Sequence, residues 1–133
     1  MRHTLFAAVA AMSLMVASAA SAQMAHYTAK LAGPAGVKGS GDVVAMLDGK
    51  TLTYTVNYKD LTGPAMAAHF HDAAAPGGDG PPIVPATVSP SPIKGVATLT
   101  DAQIADLNAG KVYFNVHTAA NKAGEIRGTL AKQ

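Results

Sequence analysis

The sequence predicts an all-β fold: an antiparallel, Greek-key-like β-sandwich or flattened barrel with one short helix, preceded by a cleaved signal peptide. Three observations predict it. After Gln23 apolar residues recur with period two rather than 3.6, as in Leu52, Tyr54 and Val56. Turn signals, Asp48-Gly49 and Asn121-Lys122-Ala123-Gly124, separate the alternating runs. Only the segment after Thr100 carries helical signals.

The N-terminus comes first. Met1-Arg2-His3 is a short basic start, Thr4 to Ala17 is almost wholly apolar, and Ala20-Ser21-Ala22 supplies small residues. That order predicts a secretory signal peptide over 1–22, cleaved after Ala22, with one domain over 23–133. As a membrane anchor the apolar run falls short of a span of roughly 20 residues. The expected address is periplasmic or secreted, with no membrane attachment after cleavage.

Tyr27 to Leu31 is the first candidate strand, followed by a Gly-rich loop containing Pro34. Asp42 to Leu47 and Thr51 to Tyr58 flank Asp48-Gly49 and predict a hairpin. Gly63-Pro64 breaks the chain before a strand over Ala65 to Asp72. From Ala73 to Lys94 the density of proline excludes a central strand, because each proline removes a ladder donor. A long loop with at most one edge strand near Ile83-Val84 is expected there. Gly95 to Leu99 is a further short strand. Thr100-Asp101-Ala102-Gln103 fits a capping box, Ile104 and Leu107 lie three apart, and Gly110 suits a helix terminus. Lys111 to His117 and Glu125 to Leu130 read as a closing hairpin.

Composition narrows the chemistry. The chain lacks cysteine and tryptophan. Thiolate metal sites, cysteine nucleophiles and disulfides are therefore excluded. Removing Arg2 leaves 9 basic against 8 acidic residues, a formal charge of +1 in place of +2. That balance supplies no electrostatic reason to bind nucleic acid. No serine lies in a nucleophile-elbow context, and the glycines of 33–41 are not spaced as a phosphate loop. Glu125 and Arg127, at i and i+2, read as members of cross-strand ion pairs. Catalysis is left open, and the absence of a visible nucleophile–base pair leans against it.

The histidines carry the chemical signal. Successive strand residues point to opposite faces, so His69 and His71 point together and Phe70 points to the core. In the later strand Val112, Phe114 and Val116 form the apolar face, and Tyr113, Asn115 and His117 the other. If these strands are neighbours, three imidazoles meet. Three nitrogen ligands with an open position suit zinc or copper. Asp72, Glu125 or Asn115 could join them. In the competing reading the same histidines only brace loops, His69 and His71 the Pro/Gly loop and His117 the turn at Thr118. His26 could be a fourth ligand, but beside the processed N-terminus it is expected in an exposed tail. Met24, Met46 and Met66 could offer thioethers to Cu(I), but isolated methionine is more often core filler.

Three segments of the chain look like one known family. Ala68-His69-Phe70-His71, Leu107 to Thr118 (LNAGKVYFNVHT) and Gly124-Glu125-Ile126-Arg127-Gly128 resemble the CHRD domain, named after chordin and widespread in exported bacterial proteins. The resemblance spans roughly Ala25 to Leu130. It implies an extracytoplasmic β-sandwich module. Its A-H-x-H and N-V-H-T motifs map onto His69, His71 and His117, which adds to the metal reading. Chordin's growth-factor binding is attributed to cysteine-rich modules that this chain lacks. A sandwich with an H-x-H pair is also similar to Cu/Zn superoxide dismutase, but the disulfide cysteines and a second histidine pair are missing, so no dismutase activity is expected.

The sequence thus leads to an exported module binding a metal ion, copper before zinc, through His69, His71 and His117, and handling or sensing the metal. The alternative is an extracytoplasmic protein-interaction or adhesion module that uses the loop Ala73 to Lys94 to contact a protein partner, with structural histidines.

Overall fold

A computed structural model describes residues 23–133. The expected signal peptide and its cleavage site lie outside the described residues.

Alternation builds the first three strands, β1 (Ala25–Ala32), β2 (Ser40–Asp48) and β3 (Thr51–Lys59). Tyr27, Ala29 and Leu31 face inward from β1, Val43, Ala45 and Leu47 from β2, and Leu52, Tyr54 and Val56 from β3. Their registers keep these inward residues opposite one another, as in Tyr27–Ala45–Tyr54. The β2–β3 turn differs by one residue from the expected one. Asp48 still pairs with Thr51, so Gly49-Lys50 make the turn, and Gly49 alone takes positive φ, +59°. A turn with glycine first needs only that one left-handed residue.

β4 (Ala65–Asp72) begins after the Gly63-Pro64 break and pairs with β5 (Pro82–Ala86). β5 is an end strand, as its prolines require. β6 (Ile93–Thr98) returns to β3. Helix α1 (Asp101–Asn108) then connects β6 to β7 (Val112–Thr118). Its start is the predicted capping box: Thr100 Oγ1 accepts from Gln103 N (3.1 Å), and Gln103 Oε1 accepts from Thr100 N (2.9 Å). Past its end Gly110 adopts φ +72°. β8 (Ile126–Thr129) pairs with β7, and a two-residue β9 (Ala131–Lys132), absent from the expected elements, adds to β1.

All pairings are antiparallel, and the strand order is β5-β4-β7-β8-β1-β2-β3-β6. The two end strands, β5 and β6, approach each other, so the sheet is nearly a closed barrel. Its interior is apolar, with Phe70 and Phe114 edge-to-face at 4.8 Å and Tyr54 on Phe70 at 4.9 Å. Among the described residues no helix is long and apolar enough to cross a membrane.

This topology positions the histidines. β4 lies between β5 and β7, and β7 between β4 and β8. The wall outside β7 is covered as well: Tyr113 and Asn115 are buried on the side opposite Phe114 and Val116. Part of that cover is the chain that leaves β4. Ala73 N donates to Lys111 O, Asp72 N to Pro81 O, and Gly80 N to the Tyr113 hydroxyl at 3.1 Å.

Candidate metal centre

The β4–β7 register sets His69 opposite Asn115, His71 opposite Tyr113 and Ala67 opposite His117. All these side chains lie on the outer wall. His117 is therefore a diagonal neighbour of His69, and His71 follows two residues along β4. The rings meet: centroids are 5.2 Å apart for His69–His117, 5.6 Å for His69–His71 and 6.0 Å for His71–His117. One ligand nitrogen from each lies within 4.8 Å of the others.

Two of the rings are oriented by backbone carbonyls. His71 Nδ1 is 2.9 Å from Gly80 O, and His117 Nδ1 is 2.8 Å from Lys122 O. A carbonyl only accepts, so each Nδ1 carries the proton and each Nε2 presents a lone pair. These are the loop contacts that the bracing reading expects. They are also the outer hydrogen bonds that hold a ligand histidine in the tautomer a metal needs. His69 Nδ1 lies 3.3 Å from His117 Nε2.

His71 is held further. Its ring stacks on Tyr113 at 4.9 Å and 9°, and the Arg127 guanidinium lies 3.8 Å from the centre of the Tyr113 ring. Arg127 also donates to Gly78 O (2.8 Å) and pairs with Asp79, drawing the 73–81 segment over the stack. His71 is 8% exposed, and among the described residues nothing hydrogen-bonds its Nε2. A buried polar atom without a partner costs about 1–3 kcal/mol, and a bound cation removes that cost.

The donor set fits a metal. Tetrahedral nitrogens bound at about 2.0–2.1 Å are about 3.3–3.4 Å apart. The His69–His117 pair already has that separation, 3.3 Å. The widest pair, within 4.8 Å, must close by up to about 1.5 Å to reach it. His69 is the ring least fixed, since among the described residues its side chain hydrogen-bonds only His117 and no backbone carbonyl holds it. Burial, then the neighbouring His117 and His71, push its pKa below the usual histidine value. The shift favours the neutral, metal-binding form.

The other expected participants separate from this site. Asp72 faces Asp106 and Lys111; burial, then the hydrogen bond and charge of Asp106, raise its pKa against the pull of Lys111. Glu125 is buried in a pocket of its own, bonded to Thr62, Thr118 and Asn121, and among the described residues it forms none of the cross-strand ion pairs expected of it. Arg127 instead pairs with Asp79 in the loop. Asn115 remains on the histidine wall, with Nδ2 3.5 Å from Ala123 O and Oδ1 without a partner among the described residues. His26 pairs with Met46 on the outer face of β1 and β2. Sequence reasoning missed Tyr113, Arg127 and Gly80. Tyr113 shares the parity of Asn115 and His117, and that was its signal. The reach of Arg127 to Gly78, 49 residues away, had none.

A cleft of about 340 Å³ opens beside His69 and His117, walled by Met66, Ala67, Thr118 and Ala119, with Lys122 at its rim.

The family model for the CHRD domain matches residues 16–130. No curated protein and no solved structure matches the chain. The match covers most of the sequence, and the chain belongs to the CHRD-domain family.

Proposed function

We propose that this CHRD-domain protein is an exported metal-binding module in which His69, His71 and His117 hold one ion, copper before zinc. The observation that carries the reading is the pair of Nε2 lone pairs set by the Gly80 and Lys122 carbonyls, the one on His71 buried and without a partner among the described residues. Bound there, the ion would supply Lewis acidity and a position for an external ligand. The chain's own part is to orient the rings, keep His69 neutral and shield His71 from water.

Copper ranks first because imidazole sites bind Cu(II) more tightly than zinc. The 3.3 Å edge suits tetrahedral zinc as it stands, whereas a tetragonal copper site wants about 2.8 Å and a turn of His69. The role is metal handling or sensing. The loop-based interaction reading has less support, because residues 78–80 are tied down by Arg127, His71 and Tyr113.

Calorimetric titration of the purified protein with Cu(II) and with Zn(II) tests the proposal. The expected result is one ion per chain with Kd below about 10 μM, lost in a triple His→Ala variant. Equal binding by that variant, or none by the wild type, overturns it.

A further inference from the structure

We propose that the thioether of Met66 is a fourth ligand of this centre and adapts it to Cu(I). The inference rests on the three-histidine reading and adds a residue that reading does not use.

Among the described residues no methionine belongs to the core. Met24 and Met66 are 55% and 65% exposed, and Met46 is half-buried on the outer face of β2. The core-filler expectation therefore fails for all three. Met66 stands out by where its exposure falls. Strict alternation would send it inward with Ala68 and Phe70, which are both 1% exposed. It does not follow them, because the β4–β7 register slips between Ala65 and Ala67 and leaves Met66 as the extra residue. Such a bulge re-aims a side chain and is typical beside functional sites. Here it puts Met66 on the cleft that His69 and His117 also line.

The chemistry agrees with the placement. Ala67, the next residue, is the cross-strand partner of His117. Met66 therefore starts one residue from a ligand's strand partner, on an unbranched arm with three rotatable bonds. A thioether is a soft donor that favours Cu(I), whereas Zn(II) and Cu(II) are served by imidazole alone. Three imidazoles and one thioether make a four-donor set in which the sulfur matters for one oxidation state only. An apolar side chain left in solvent at the mouth of the histidine cluster then has a reason to be there.

Met66→Leu keeps the size and apolar character of an exposed residue, so the fold is expected to survive. Anaerobic competition against a chromophoric Cu(I) chelator should show wild type binding Cu(I) at least about tenfold more tightly than M66L. Zn(II) and Cu(II) affinities should agree within about twofold between the two proteins. X-ray absorption of the Cu(I)-loaded protein should show one sulfur neighbour in wild type and none in M66L. Equal Cu(I) affinities, or a copper shell without sulfur, overturn the assignment. If Zn(II) and Cu(II) still bind through the histidines, that failure concerns Met66 alone. If wild type binds neither ion, the three-histidine reading falls and this one falls with it.

Discussion

Two polar clusters lie along β7, and the chain completes one but not the other. Glu125 is 1% exposed and carries a charge into the protein interior without a cation among its partners. Four donors satisfy it: Thr62 N at 2.9 Å, the Thr62 hydroxyl, Thr118 Oγ1 at 3.0 Å and Asn121 Nδ2 at 2.9 Å. The histidine cluster has donors and acceptors of its own, yet His71 Nε2 keeps its lone pair and His69 is tied to nothing but its neighbours. A buried polar group finished by the chain is architecture. One left unfinished, with two of its three rings already oriented, is where a ligand belongs. The comparison matters because both clusters are polar and part-buried, and composition alone does not separate them.

The largest effect should come from the finished cluster. Glu125→Ala strands several buried donors, and the expected loss is about 3 kcal/mol in chemical denaturation without metal. A loss under about 1 kcal/mol would mean that water replaces the carboxylate easily and would erase the contrast. Acid gives an independent reading. Burial alone would raise the Glu125 pKa, but the hydrogen bonds from Thr62, Asn121 and Thr118 outweigh it and hold the pKa below the usual carboxylate value. A lowered folded pKa means stability that is full above the unfolded value of about 4.3 and is lost as pH falls through the folded one. Wild type should therefore lose stability on acidification below about pH 4, and Glu125→Gln should lack that component.

The unfinished cluster should behave in the opposite way. Without metal, His69→Ala and His117→Ala are expected to shift stability by about 1 kcal/mol or less, because both rings are half-buried. With metal at one hundred times Kd, wild type should gain about 2.7 kcal/mol and the triple His→Ala variant nothing. The readout is the denaturation midpoint with and without Cu(II) or Zn(II). A wild type that is indifferent to both ions would place the histidines with Glu125, as architecture.

The residues that could be foreseen are those governed by local rules. β4 spans Ala65–Asp72 as expected, because Gly63-Pro64 and the proline-rich run after Ala73 bound it on both sides. The helix start needed only Thr100 and Gln103, three residues apart. Parity placed His69, His71 and His117 on one wall, and the outcome then depended on β4 lying beside β7. No local signal decides that. It follows from the way β5 and β6 divide the two ends of the sheet. The misses are nonlocal in the same sense. The pocket of Glu125 is built by Thr62, 63 residues earlier, in the connection between β3 and β4. β9 is two residues without alternation that pair only because β1 offers an edge. The exposure of Met66 comes from a register slip that alternation cannot reveal.

Arg127 links the two behaviours and should give the smallest effect. It contributes nothing to the inner core, yet it covers Tyr113, which covers His71, and it holds Gly78 and Asp79 above both. The ion pair with Asp79 is solvent-exposed, so it is worth about 1 kcal/mol or less, and the cation–π contact adds about 0.5–1 kcal/mol. Arg127→Lys should cost about 1 kcal/mol of stability, since a lysine keeps the charge but cannot stack and fork at once. The sharper measurement is hydrogen exchange at Gly80, whose amide donates to the Tyr113 hydroxyl. Faster exchange there, with metal affinity lowered only a few-fold, would mean that the strap positions His71 without binding the ion itself. If Gly80 exchange stays unchanged in Arg127→Lys, the loop is held by His71 and Tyr113 alone, and the covered side of the cluster owes nothing to the guanidinium.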